Sequence, residues 1–384
     1  ELELRIEDAN EHMERAKARL VALQSGDEES VRVWQRIYDI TMSACLHTCA
    51  RLHANVTDEH SAGESTYRDE LGDVVQDLID RKIALEDDGA LVVKCDGIKE
   101  PTIIRKRDGG YLYATTDMAA IKRRVEKFGG DIVVYCVDSR QSLHFKQVFA
   151  AAKKAGYAKT RGGQDATLVH AMFGSVMGED GKPLKSRSGE NLNLSDLLDE
   201  AVSRAEATLT ERSPDITGNE RKQIAESVAM AAVKYADLSI ERIKDYIFSF
   251  DRMLAFEGDT GPYLLYALVR IKSIFRKAQD AGIDTSGLDG ASFDLRDPAE
   301  KALALKLLRY PSVVEGAGLN HEPNRLCAFA YELASGFSSF FDQCPVLKND
   351  DEALRASRLR LCALTGRVLE DALTTIGIPT VERM

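Results

Sequence analysis

Apolar residues along the chain change rhythm twice, and each rhythm predicts different elements. Over the first ninety residues they recur at helical spacing, broken by polar loops at Ser25-Gly26-Asp27 and His60 to Glu64. After Gly89 come short apolar or alternating runs bounded by Gly and Asp: Ala90–Cys95, Thr102–Arg105 and Gly110–Tyr113. Such runs predict strands. A helix is then expected from Met118 to Phe128, stopped by Gly129-Gly130. Asp131–Val137 is nearly all apolar, the pattern of a strand buried on both faces of a parallel sheet. Leu143–Ala155 predicts a helix ending at Gly156, and Ala166–Met177 another strand, followed by a polar Gly-rich loop from Gly178 to Gly189. Strand, helix, strand in this order is a β-α-β unit of a doubly wound sheet. Ligands of such sheets lie beyond the carboxyl ends of the strands, so 138–144 and 178–189 are the segments to inspect.

From Asn193 onward almost every pattern is helical. Leu354, Leu361, Leu364, Val368, Ala372 and Ile376 fall on one face, with Gly377 as C-terminal cap and Pro379 preventing continuation. Leu326, Phe329, Leu333, Phe337 and Phe340 form a similar stripe after Pro323. The second half reads as an all-α bundle.

At 384 residues the prior is two domains, and 44% hydrophobic with 29% charged residues is an ordinary globular composition. No apolar run is long enough to span a bilayer, and no secretory h-region opens the chain. Helix begins with Glu1 itself, so the chain is expected to be a piece of something longer. The seven cysteines are scattered and include no Cys-x-x-Cys pair. Cys45, His47 and Cys49 suggest a metal, but at i, i+2, i+4 on a helix His47 points away from the other two. Buried thiols, no bound metal and a cytoplasmic setting are therefore expected. The net charge of −11 argues against a protein that coats nucleic acid indiscriminately. It leaves a selective RNA binder open, because positive residues dominate locally between Arg140 and Glu190.

Four segments carry candidate chemistry. The loop Gly178-Glu179-Asp180-Gly181-Lys182-Pro183-Leu184-Lys185-Ser186-Arg187-Ser188-Gly189 has glycines that permit close backbone approach and cations suited to a polyphosphate. Composition alone would make it a solvated surface loop, but it follows a strand at the ligand edge. Tyr111-Leu112-Tyr113-Ala114-Thr115-Thr116-Asp117 is either a strand ending at a helix cap or a carboxylate held for a planar cation. Asp138-Ser139-Arg140-Gln141-Ser142-Leu143-His144-Phe145 directly follows a predicted strand. Tyr263, Tyr266 and Arg270, at i, i+3 and i+7, form either part of a helical core or a stacking and cationic face for splayed RNA bases.

In order and spacing these segments resemble arginyl-tRNA synthetases over essentially the whole chain. The loop is similar to the Lys-Met-Ser-Lys-Ser signature of class I synthetases in the altered form of the arginyl enzymes. Pro183 and Ser186 fall where the signature has its lysines, and Lys182, Lys185 and Arg187 flank them. The resemblance implies that these cations, with Ser186, steady the β- and γ-phosphates of ATP while the arginine carboxylate attacks the α-phosphorus. It places Tyr113 and Asp117 on the guanidinium, Gln141 on the amino acid and His144 near the nucleotide. It puts Tyr263, Tyr266 and Arg270 at the entry to an anticodon-binding domain. The family shows Asn where this chain has Asp259, a change expected to weaken a phosphate or cap contact. The ending Val381-Glu382-Arg383-Met384 is also like that of family members.

The fold implied is α/β: a partial Rossmann-like doubly wound parallel sheet with a helical insertion (1–250), then a helical anticodon-binding bundle (251–384). The activity implied is arginine–tRNA ligation with L-arginine, ATP accompanied by Mg²⁺, and tRNA(Arg) as partners, in a monomer that meets no membrane. Class I synthetases also carry a His-x-Gly-His motif, which is absent from this sequence. Nothing here resembles the family's N-terminal domain either, so the chain alone is expected not to activate arginine. The alternatives are a synthetase-like protein that binds tRNA or arginine without catalysis, and a class I synthetase for another amino acid. A cysteinyl enzyme would bring zinc ligands, which this chain lacks.

Overall fold

Asp27 sets the first element boundary: its carboxylate accepts from the Ser30 amide at 2.9 Å and the Ser30 hydroxyl at 2.7 Å, capping a helix. That helix, α2 (Glu28–Arg51), follows α1 (Leu2–Gln24) through Gly26, which takes φ +84°. The computed structural model describes residues 2–182 and 193–384, and the chain divides into two units, Glu1–Ser61 and Ala62–Met384. In the first, the inner seam of α2 runs Ser30, Trp34, Tyr38, Met42, Leu46, Cys49. Cys45 lies off that seam and is exposed, so the expected buried thiol is corrected there; Cys49, on the seam, is half-buried. A helix pair offers one face to bury, and Cys45 falls on another.

The second unit begins with α3 (Arg68–Asp80), which buries Leu71, Val74, Val75 and Leu78. An antiparallel sheet follows, β1 (Ala84–Asp87), β2 (Ala90–Val93) and β3 (Thr102–Arg105), in that order. Asp88 and Gly89, with φ +51° and +75°, form the two-residue turn that such a hairpin favours. β1 lies where the sequence pattern still suggested helix. The strand expected at Gly110–Tyr113 shrinks to one bridge between Arg105 and Tyr111, because helix α4 (Tyr113–Lys122) starts five residues before Met118. The alternating Tyr-Leu-Tyr pattern runs into a helix whose first turn carries no side-chain cap, so the boundary is silent in sequence. Buried Thr115 fastens that turn by donating to the Ile104 carbonyl.

β4 (Ile132–Tyr135), α5 (Ser142–Lys154) and β5 (Thr167–His170) form the expected parallel β-α-β unit. β4 is buried on one face, against the expectation of two. Val133 and Tyr135 are buried, while Ile132 is 60% and Val134 44% exposed. Two parallel strands with a helix on one side leave the other side open among the described residues. The single strand expected over 166–177 also breaks. Phe173 bridges to Asp138, and β6 (Val176–Met177) pairs in parallel with β7 (Tyr246–Ile247) instead. Gly174 makes that swerve possible: a Cβ there would lie 2.6 Å from the Lys244 carbonyl carbon.

The rest is helical as expected: α6 (Leu194–Arg212), α7 (Gly218–Leu238), α8 (Phe250–Met253), α9 (Gly261–Asp280), α10 (Pro298–Leu308), α11 (Tyr310–Asn320), α12 (Pro323–Gln343) and α13 (Glu352–Thr375). All five residues of the α12 stripe are buried. On α13 the buried face is rotated: Leu354, Leu361, Ala372 and Ile376 are buried, but Leu364 and Val368 are half-buried and Cys362, Leu369 and Leu373 go inside. Gly377, at φ +71°, ends α13 as expected.

Candidate active site

Helices α4 and α5 bring together two side chains that lie far apart in sequence. Asp117, in the second turn of α4, and His144, in the first turn of α5, are both half-buried, with His144 Nε2 at 2.7 Å from Asp117 Oδ2. Tyr113 stands one turn before Asp117 and is 68% exposed. Gln141 is exposed in the turn between β4 and α5, three residues before His144. Asp138 builds that turn. Its carboxylate accepts from Arg140 N at 2.8 Å, Nε at 2.9 Å and Nη2 at 2.8 Å, which holds its pKa down at about 2. Behind His144, Phe145 packs on Tyr135, Phe149 and His170 with ring centroids at 4.9, 5.6 and 4.7 Å. His170 Nε2 lies 3.0 Å from the Val137 carbonyl, and Arg124 Nη1 donates to the Tyr135 hydroxyl at 2.7 Å. Burial raises the Tyr135 phenol well above its ordinary pKa, so it stays neutral. This aromatic block fixes the start of α5.

The cationic loop is described only at its entry. Gly178 N donates to the Lys182 carbonyl at 2.7 Å and Lys182 N to Asp180 Oδ1 at 3.1 Å, while Gly181 takes φ +70°. Lys182 is exposed. Lys185, Ser186 and Arg187 lie outside the described residues. The strand leading to the loop is anchored by residues that sequence patterns did not mark. Ser175 N donates to Asp245 Oδ1 at 2.6 Å, and Gly174 N to the Arg242 carbonyl at 2.9 Å. The Arg242 guanidinium joins the Met172 carbonyl to that of His321, 3.3 Å away. The signal that could have found this brace is Gly174 itself, a glycine inside a strand-like run. A cleft of about 1140 Å³ opens beside it, lined by Asp138, Arg140, Gly174, Asp237, Arg242 and Pro323 among others. Among the described residues no cluster of three His, Cys, Asp or Glu could hold a metal ion.

On α9, Tyr263 is half-buried with its ring 5.7 Å from that of Tyr331, and Tyr266 is 47% exposed. The Arg270 guanidinium sits 4.4 Å from the Phe341 ring centroid and 3.3 Å from Asp342 Oδ1. The cap of α9 is Thr260, not residue 259. Asp259 instead accepts from the buried Tyr235 hydroxyl at 2.5 Å, so the expected loss of a cap contact is corrected. Gly261 lets α9 meet α7 closely, since a Cβ there would lie 2.3 Å from the Ala231 carbonyl oxygen.

Residues 1–250 match the family model of class I tRNA synthetases (R), catalytic domain, and residues 264–384 match the DALR anticodon binding domain. The arginine–tRNA ligase of Idiomarina loihiensis is 43% identical over 99% of this chain, and that of Edwardsiella ictaluri 44% identical over 97%. The chain spans 65% and 64% of the length of those two relatives. Among solved structures, the arginyl-tRNA synthetase of Plasmodium falciparum superposes with a TM-score of 0.83 at 28% identity, covering 98% of this chain and 62% of that one. The Thermus thermophilus arginyl-tRNA synthetase gives 0.76 at 25% identity, covering 95% and 66%. With a catalytic-domain match over its first 250 residues and an anticodon-domain match over its last part, the chain belongs to the arginyl-tRNA synthetase family of class I.

Proposed function

We propose that this chain works as part of an arginine–tRNA ligase, with 1–250 contributing to the catalytic domain and 251–384 binding the anticodon arm. The observation that carries the reading is Asp117: a half-buried carboxylate at the ligand end of a β-α-β unit, next to exposed Tyr113. A guanidinium meets such a carboxylate through parallel, charge-assisted hydrogen bonds, and the phenol adds another. Gln141 holds the polar head of the same arginine. Its carboxylate then attacks the α-phosphorus of ATP, forming arginyl-adenylate and releasing pyrophosphate. Lys182, Lys185 and Arg187, with Ser186, offset the charge on the leaving phosphates, which arrive with Mg²⁺. The terminal ribose hydroxyl of tRNA(Arg) next attacks the arginyl carbonyl and AMP leaves. Tyr263, Tyr266 and Arg270 supply stacking and charge to the RNA. The enzyme so read acts as a monomer in the cytoplasm; no described helix is long and apolar enough to cross a membrane.

Arginine-dependent ATP–pyrophosphate exchange by the full-length product of the gene tests this. Exchange with arginine and none with lysine or glutamine is the expected result. Arginine binding without any exchange would favour a non-catalytic arginine or tRNA binder, and exchange with another amino acid would refute the assignment.

A further inference from the structure

We propose that His144 is a positioning residue for arginine: it grips one oxygen of Asp117 and thereby presents the other to the guanidinium. The inference rests on the reading of Asp117 given above. Ionised carboxylate oxygens only accept hydrogen bonds, so an imidazole nitrogen 2.7 Å from Asp117 Oδ2 must carry the proton on Nε2. That contact uses one of about four lone-pair positions on the carboxylate and fixes its plane. Among the described residues Asp117 makes no other side-chain hydrogen bond, so Oδ1 and the outer lone pair of Oδ2 remain for a ligand, with Tyr113 one helical turn away on α4.

Surrounding charges sharpen the point. Among the described residues no Lys or Arg pairs with Asp117. The nearby Arg124 is engaged by Tyr135, through the 2.7 Å hydrogen bond and with its guanidinium 5.0 Å from the ring centroid. Arg140 is engaged by Asp138. A single hydrogen bond from the imidazole therefore orients the Asp117 carboxylate and leaves its remaining lone pairs to an arriving cation. A lysine or arginine in place of His144 would compete with the substrate. The imidazole is itself held, because Phe145, the next residue, is locked among Tyr135, Phe149 and His170.

The test compares His144→Ala, His144→Gln and Asp117→Asn in the full-length gene product, reading the KM for arginine and for ATP in pyrophosphate exchange. His144→Ala should raise the arginine KM roughly tenfold, the loss expected for one hydrogen bond to a charged group, and leave that for ATP nearly unchanged. His144→Gln should restore most of the loss, because its amide nitrogen reaches the position of Nε2. A rise in the ATP constant instead would place His144 on the nucleotide and overturn the proposal. So would a Gln variant as impaired as the Ala variant, which would indicate packing alone. In the chain itself, nitrogen-15 NMR of the imidazole should show hydrogen on Nε2, and a ring protonated only on Nδ1 would also overturn it. Asp117→Asn with an unchanged arginine KM would instead sink the guanidinium reading on which this one rests, whatever the His144 variants do.

Discussion

The β4–α5–β5 region and the α9–α13 bundle spend their apolar residues differently. The bundle buries Phe337, Phe340, Cys362 and Leu369 completely, and even its buried charges are paired. Around β4, Ile132, Val134 and Phe128 stay exposed, and the polar side chains of Asp117 and His144 are held at partial burial. Full burial builds a rigid body that positions a surface. Partial burial leaves a carboxylate reachable by a ligand while excluding enough water to strengthen its interactions. The lesson is that substitutions in the bundle should report as stability, and those at the sheet edge as ligand affinity or rate.

The largest expected effect lies in the bundle. Glu300 is fully buried, accepts from Arg358 Nε at 2.6 Å, and closes a capping box with the Asp297 amide at 2.8 Å. Arg358 also donates to the Pro345 carbonyl at 2.9 Å. Arg358→Ala leaves a buried carboxylate without its partner and should cost about 3–5 kcal/mol in urea unfolding. Replacing both, Glu300→Leu with Arg358→Met, should recover most of that, since the pair's desolvation nearly offsets its attraction. Equal losses in the single and double variants would show that packing, not charge, dominates there.

At the sheet edge, removing Lys182 and Lys185 together should slow pyrophosphate exchange roughly 100-fold with little change in urea midpoint. A stability loss without a rate loss would reverse the contrast between the regions. An intermediate case is Gly174→Ala, which drives a Cβ to 2.6 Å from the Lys244 backbone. Overpacking of that kind costs about 1–3 kcal/mol and should displace β6, so both stability and exchange should fall. A change in neither would mean that the brace between β6 and β7 yields freely.

The two regions also differed in how legible they were. In the bundle, the stripe Leu326–Phe340 predicted the buried face of α12 correctly, because helical periodicity against one core depends on local spacing alone. α13 was legible in extent but not in rotation, since it packs on several helices and buries more than one stripe. At the sheet edge, the β-α-β unit was legible from Gly129, Gly156 and the apolar run between them. The one-sided burial of β4 was not: an apolar residue shows what a position tolerates, not whether anything covers it. Asp117 was singled out by its motif, but its contact with His144 joins residues 27 apart in sequence and no local pattern encodes it. The role of Asp259 was hidden for the same reason, its partner Tyr235 lying on α7, 24 residues earlier.

The smallest predicted effect is the one that isolates burial from sequence most cleanly. Val133 and Val134 are chemically identical neighbours on β4, one 6% and the other 44% exposed. Val133 packs into the cluster with Tyr135, Phe145 and Val148. Val133→Ala should therefore cost about 1–2 kcal/mol by removing buried methyl groups. Val134→Ala in the same chain should stay within about 0.5 kcal/mol, because its side chain has half left water only in part. Paired urea melts of the two variants measure the difference. If Val134→Ala proved as damaging as Val133→Ala, the outer face of β4 would have to be covered in solution, and the distinction drawn between the sheet edge and the bundle would lose its basis.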